Sequence, residues 1–459
     1  MKKLYILVLL YPFVVCAQQP WYKSSPMDYI WKNVGNAGFS AGGTAFTSLA
    51  FSQSGEPYVA FQDIENSYKA TVMKFDGTNW VNIGMAGFSV GEVRCTNLSF
   101  SQSGQPYIAY VDGGNSNKTS VMKFNGTNWT NVGIAGFSAG KADWTSLAFS
   151  PSGEAYVAYE DYGNSCKATV MKFNGTNWVN VGIAGFSAGG TACTSIAFSP
   201  SGDPYVAFQD SVYSRKVTVM KFNGINWVNV GIAGFSAGLA AHISLALSPS
   251  GQAYVAYRDW ANTDRKATVM KYNGTNWVNV GNAGFSAGDN YYTSIAFSPS
   301  GQPYVAYEDV ANSNKATVMK FDGTNWENVG IAGFSAGEAG CTSLAFSPFG
   351  QPYVAYDDFG NSNKATVMKY DSIIGGIDEQ AISHLSLYPN PATDKISIET
   401  SIMTKDNYLT IENINSQVLI EQQVTDRKTQ IDISSLPLGV YFIRIKNEKT
   451  VEVGKIIKK

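Results

Sequence analysis

The chain lacks most of what catalysis and metal binding require. Among its 459 residues there are two histidines, His242 and His384, and no Cys-x-x-Cys pair. A zinc site draws on several such ligands held close together, so no metal and no cofactor is expected. Charged residues make up 15% of the chain, the net charge is −2, and no basic run occurs before the extreme C-terminus. Phosphate neutralisation needs clustered Lys and Arg, which removes nucleic acid as an expected partner. Beyond the N-terminal segment no apolar stretch approaches the roughly 20 residues of a membrane-spanning helix, so no transmembrane span is expected. Helical periodicity is missing too, which excludes a solenoid of helix pairs. A Gly-x-Ser-x-Gly nucleophile elbow is not expected.

What the chain does hold is glycine, 45 residues, and aromatics, 13% of the total. That profile suits β-structure with many tight turns. Trp31, Trp80, Trp129, Trp178, Trp227, Trp277 and Trp326 recur at spacings of 49, 49, 49, 49, 50 and 49. Each unit carries four short apolar runs, in the first unit at 47–51, 58–61, 70–75 and 80–83. Such runs, rich in β-branched and aromatic residues, have strand character. The Asp-Gly and Asn-Gly pairs between runs three and four predict hairpins whose two central residues take positive φ. Near-continuous apolar runs fit strands covered on both faces. A period in the forties with four strands per unit predicts an all-β, seven-bladed β-propeller.

The ends predict how the ring closes. The repeats begin at Trp31-Lys-Asn-Val-Gly35, a fourth strand without the first three, and end at Lys364-Ala-Thr-Val-Met-Lys-Tyr370, a third strand without its tryptophan. Pairing the two completes the seventh blade and removes an open edge. An acid recurs at Asp63, Asp112, Asp161, Asp210, Asp259, Asp309 and Asp358 and is expected to tie down a loop. The lysines at Lys74 and its equivalents are expected to pack their stems between blades. The acid pairs Glu160-Asp161, Glu308-Asp309 and Asp357-Asp358 read as solvated loop charge rather than as a glycosidase pair.

Comparison of the copies with one another finds two variable places. One is the four residues before the first strand, ending in Phe46, Cys95, Trp144, Cys193, His242, Tyr292 and Cys341. The other is the loop between strands two and three, such as 64–68 or 260–264. Up-and-down topology puts both on one rim, and the seven residues just named are expected to precede the innermost strands and to encircle the channel mouth. Loops on a rigid scaffold are where binding usually resides, and an aromatic-rich ring suits a glycan or a peptide. Drift among duplicated blades is the competing explanation of the same variability.

Lys2 and Lys3, the apolar run 4–15 and Val15-Cys16-Ala17 form a signal peptide over residues 1–17. Cys16 also opens a lipoprotein reading, although Val15 is bulkier than the small residue such a site prefers. Cleavage leaves Cys95, Cys166, Cys193 and Cys341, three of them at one repeat position that the fold holds apart, so free thiols are expected. Residues 18–30 form an N-terminal segment, 31–371 the propeller and 372–382 a linker. Alternating apolar runs over 383–459 predict seven short strands in a small β-sandwich.

These last residues resemble the C-terminal sorting domain of type IX secretion. The resemblance rests on Leu387-Tyr388-Pro389-Asn390-Pro391-Ala-Thr-Asp394, on Asp432-Ile-Ser-Ser-Leu436-Pro-Leu-Gly439-Val-Tyr441, and on Lys455-Ile-Ile-Lys458-Lys459. It implies passage through the inner membrane by the signal peptide and then across the outer membrane by the secretion machinery, removal of the domain, and release of the cargo or its attachment at the surface. The reading is then a secreted or surface-held propeller that binds a glycan or protein as an adhesin-like module and is not an enzyme. A spacer without a discrete ligand is the second reading, and a surface glycan hydrolase the third.

Overall fold

The computed structural model describes residues 29–261, 264–372, 385–400, 407–413, 418–446 and 451–459. The signal peptide, nearly all of the N-terminal segment, and the linker apart from Ser372 lie outside the described residues, as does His384. The described chain forms two units, one ending at Ser372 and the other holding the C-terminal strands.

In the first unit seven antiparallel sheets of four strands follow one another. The first complete blade runs Thr44–Phe51, Pro57–Asp63, Lys69–Phe75 and Trp80–Asn82. Strand two explains why the apolar runs do not alternate with polar residues: Val59, Ala60 and Phe61 are all fully buried. Val59 and Phe61 pack on Ala355, Ala365 and Val367 of the seventh blade, while Ala60 and Ala70 pack on Ile108 and Tyr110 of the second. Each blade thus lays a bulky face on the small face of its predecessor. Alternating large and small residues lets the layers interdigitate without voids.

The ring is closed as the ends predict. Tyr29–Asn33 pairs with Lys364–Ser372, with Trp31 opposite Tyr370. The strand starts at Tyr29, two residues before the expected Trp31, because Tyr29 and Ile30 pair with Ser372 and Asp371. Three circular sets of hydrogen bonds repeat in all seven blades. Each tryptophan Nε1 donates to a carbonyl of the preceding blade, Trp31 to Val329 at 2.7 Å and Trp80 to Val34 at 2.7 Å among them. On the inner strands, Leu49 N donates to Ser343 Oγ and Leu98 N to Ser48 Oγ, both at 3.0 Å, and so on to Leu344 N and Ser294 Oγ. A third set runs through Ser40 and its equivalents, taken up below.

Two local expectations need correction. The hairpin between strands three and four is not a two-residue turn: only Gly77 has positive φ, and Asp76 Oδ1 accepts from Thr78 N and Asn79 N at 2.9 and 2.8 Å. The carboxylate holds a four-residue loop, which needs one left-handed residue instead of two. The acid pairs are not solvated either. Glu160, Asp161, Glu308, Asp309, Asp357 and Asp358 are all buried, since they end strand two inside the blade stack. The recurrent acid does tie down its loop: Asp161 accepts from Gly163 N, Asn164 Nδ2 and Thr169 Oγ1. The lysines behave less uniformly. Lys172 leans toward Tyr156, 5.9 Å from its ring, and ends on Glu154 at 2.9 Å at a partly exposed site.

The second unit has two sheets. Ser386–Tyr388, Lys395–Glu399 and Lys428–Asp432 form one; Val418–Val424, Asn407–Asn413, Gly439–Lys446 and Val451–Lys458 form the other. Ile396, Ile398, Leu409, Ile411, Ile443, Ile445 and Ile456 make its core. Strand number and positions match the seven apolar runs.

Candidate functional site

The inner strand of each blade carries a β-bulge. In the first blade the register shifts between Ala45 and Ser48, and Phe46 sits in the bulge. Phe46, Cys95, Trp144, Cys193, His242, Tyr292 and Cys341 occupy this position in the seven blades, and every one of them is left-handed, with φ from 48° to 55°. They lie within the inner strands and do not precede them, which corrects the sequence expectation. The extra bulge residue turns each side chain off the ladder. A left-handed conformation costs a non-glycine residue about 1–2 kcal/mol, yet no blade uses glycine here.

The structure brings all seven together around one cavity of 380 Å³ at the end of the channel. Threonines lock the bulges in place: Thr96, Thr145, Thr194, Thr293 and Thr342 each donate from Oγ1 to the bulge carbonyl of the preceding blade. Thr47 instead donates to Asp357, and Ile243 takes the threonine position in the fifth blade. Trp144 and Tyr292 project furthest, 39% and 38% exposed. His242 stands edge-on to Tyr292 at 4.9 Å.

The second variable place lies on the same rim, as expected, since Ile64 N donates to Gly43 O and Val93 N to Tyr68 O. It folds as a short 3-10 turn in five blades, for example Tyr162–Asn164. Tyr68, Tyr162, Tyr213, Trp260, Val310 and Phe359 are exposed there and form an outer apolar circle. Only the second blade, with Gly113 and Gly114, contributes no large side chain. Arg258 braces one sector: it pairs with Asp289 through two hydrogen bonds of 2.8 and 2.7 Å and lies 4.0 Å over Tyr291.

A third variable position, in strand two just before the recurrent acid, escaped the sequence comparison. It holds Gln62, Val111, Glu160, Gln209, Arg258, Glu308 and Asp357, each paired across the ladder with the residue before a bulge residue. The signal was present in the acid pairs, but their setting in a strand was not. Burial, then Asp143, raises Glu160 to about 7; burial, then Glu338, raises Glu308 to about 7. Burial, then Arg258, takes His242 down to about 4. Burial pushes the Cys95 thiol to about 12, and those of Cys193 and Cys341 also rise. All four described cysteines are free, as expected, but these three thiols stay protonated and poorly nucleophilic.

The two glutamates give a stability prediction. Their folded pKa lies above the 4.5 of a free carboxyl, so the folded state holds more protons from pH 4.5 to 7 and loses stability as pH rises through that window. His242 has the opposite slope, from about 4 to 6.5. The double variant Glu160→Gln/Glu308→Gln lacks only the first effect. Its melting temperature, relative to the unsubstituted protein, is expected to climb between pH 5 and pH 8; equal slopes would rule the raised carboxyls out.

The letters Gly-x-Ser-x-Gly do occur, against expectation, once per unit at Gly38-Phe39-Ser40-Ala41-Gly42 and its equivalents. They do not form a nucleophile elbow. Ser40 is buried, donates to Gly42 O at 2.7 Å and accepts from Ala365 N at 3.0 Å, and Ser89, Ser138, Ser187, Ser236, Ser286 and Ser335 repeat both bonds. These serines staple the outer chain to strand three. Among the described residues no group of His, Cys, Asp and Glu is placed to hold a metal.

In the sandwich the separated sorting residues meet. Asn390 Nδ2 donates to Lys455 O at 2.7 Å and its Oδ1 accepts from Ile457 N at 2.9 Å, while Lys459 N donates to Ala392 O. The segment with Pro389 and Pro391 is thereby laced to the strand that carries Lys455 and Lys458. Tyr388 donates to Glu399 at 3.1 Å. Asp432 accepts from Ser434 N, Tyr441 donates to Pro437 O at 2.7 Å, and Leu436 is buried, so the turn before Gly439 is fixed from both sides.

A closed ring of seven four-stranded sheets with its variable residues at one mouth is a seven-bladed β-propeller. Residues 386–459 match the family described as the secretion system C-terminal sorting domain, so this propeller carries a type IX sorting domain, engages that machinery and is exported to the cell surface or secreted. No described helix is long and apolar enough to cross a membrane. Among solved structures, PorZ, a surface component of the type IX secretion system of Porphyromonas gingivalis, aligns over 92% of this chain and 60% of its own at 14% identity, with a TM-score of 0.49. The chain thus spans 60% of that protein's length. The extracellular domain of BT4673 from B. thetaiotaomicron aligns over 94% of this chain and 59% of its own, at 13% identity and TM-score 0.50. A PL25 ulvan lyase aligns over 75% and 96%, at 12% identity and TM-score 0.50. At such identities the likeness is one of fold, which many functions share. A search of curated proteins returns no match.

Proposed function

We propose that the exported propeller is a non-enzymatic binding module whose ligand, a glycan or a protein, docks on the channel mouth in the manner of an adhesin. The observation that carries this is the bulge ring. Seven non-glycine residues hold left-handed backbone and point into one cavity, two of them exposed aromatics. Backbone strain kept at one place in every blade supports function there, because neutral drift toward glycine would relieve it. Aromatic faces in two concentric circles suit the apolar faces of sugars or the side chains of a peptide.

The test separates binding from packing. Trp144→Gly and Tyr292→Gly are expected to leave stability unchanged or raise it by up to about 1 kcal/mol of relieved strain, read as a melting temperature that does not fall, while weakening every glycan or peptide captured on an array by the exported protein. A spacer without a ligand would capture nothing, or nothing that these substitutions weaken. Polysaccharide turnover by the purified protein would favour a hydrolase instead.

A further inference from the structure

Four of the residues at the third variable position bond to the next blade, one polar residue is bonded within its own blade, and one polar residue is left over. Gln62 Nε2 donates to Val93 O, Gln209 Nε2 donates to Ala240 O at 2.6 Å, and Arg258 grips Asp289. Asp357 accepts from Thr44 at 2.7 Å and from Thr47, and Glu160 is bonded by the Cys166 thiol within its own blade. Glu308 is 7% exposed and, among the described residues, makes no hydrogen bond or ion pair. The residue that would face it from the seventh blade, at the site of Asp143 and Tyr291, is Gly340. The missing side chain opens a cavity of 300 Å³, walled by Glu308, Glu338, Asp357, Tyr291, Phe359 and Asn363. Asn363 Nδ2 donates to Thr44 O, which leaves its Oδ1, shielded from solvent, without a donor.

The Glu308 side chain, nine-tenths buried, lines this cavity without a protein donor and so offers a ligand an unmatched carboxyl. No Lys or Arg lines the cavity. We infer that this side pocket between blades six and seven is a binding site for an alkylammonium group, such as a lysine side chain or the free amine of an amino sugar. An ammonium is donor-only and matches Glu308 and Glu338, and its charge offsets the burial of the Glu308 carboxylate as a neutral hydroxyl would not. Tyr291 and Phe359 offer ring surface to the carbon stem. Near neutral pH Glu308 is partly protonated, with burial first, then Glu338 and Asp289, raising it and Arg258 opposing them, so amine binding expels a proton. The pocket borders the mouth through Tyr292 but does not depend on a ligand there.

Calorimetric titration of the full chain with Nα-acetyl-lysine methyl ester and with glucosamine tests this. At least one free amine is expected to bind at millimolar concentration, and which one tells a protein side chain from an amino sugar. The fully acetylated lysine ester and N-acetylglucosamine should not bind. Glu308→Gln should weaken the amine about tenfold, the loss of one charge-assisted bond. It should also abolish the dependence of the heat on the buffer's own ionisation. Gly340→Leu, which fills the cavity from the neighbouring blade, should block binding independently if Glu308→Gln folds poorly. No binding by either amine, equal binding of the acetylated forms, or full affinity in a folded Glu308→Gln protein overturns the inference. The mouth is judged on the array, so either proposal can fail alone.

Discussion

Deletion of residues 29–35 is expected to lower the melting temperature by about 10 °C and to turn the monomer into an associating species. The deletion strips a five-residue ladder from Lys364–Ser372, together with the Trp31 bond to Val329 and the Lys32 bond to Ser372 O. Trp31 is 8% exposed and stacks at 4.2 Å on Phe334, so its loss alone is worth about 3–5 kcal/mol. For a unit of this size that alone is about 5 °C, and the lost ladder adds about as much again. What remains at the surface is a long unpaired strand edge, a template for association. Trp31→Ala supplies the control. In a closed ring it should cost as much as Trp129→Ala, because Trp129 makes the same bond, to Ile83 O, and the same stack, on Phe88. A Trp31 variant as stable as the unsubstituted protein would show that the seventh blade closes without its borrowed strand.

Loss of export is the second large effect. Removing residues 455–459 takes away Ile456, fully buried in the sandwich core, and both backbone partners of the Asn390 side chain. The chain is then expected to remain in the periplasm, and blotting of fractionated cells would find it there and neither at the surface nor in the medium. Asn390→Ala is the milder case. It loses two hydrogen bonds, about 2 kcal/mol, and should cut the exported fraction several-fold without touching a basic residue. Normal export of both variants would mean that the folded form of this segment is not what the machinery reads.

Particular residues show how far the sequence reached. The closing strand was legible because Trp31 is a copy of six other tryptophans and Tyr370 a copy of six other strand ends, so the complement could be matched by eye. The mouth residues were legible as a variable column, but their backbone was not. A bulge depends on which bonds the ladder forfeits, and Phe46, Cys95 and Trp144 share no side-chain chemistry that announces positive φ. Glu160 and Glu308 misled because a pair of acids beside a loop looks solvated. Their burial comes from the neighbouring blade, which covers the end of strand two.

By itself, then, the repeat determined the blade count, the closure and the rim on which variation gathers. Each unit packs against a near copy of itself, so one unit's text describes both sides of every interface. The last residues likewise determined the route out of the cell. Tertiary structure alone decided what happens where the copies differ. The unmatched Glu308 and the space above Gly340 arise only when one blade's odd residue is set against the next blade's odd residue. That juxtaposition spans a ladder and a blade interface at once, and no pattern along one strand records it.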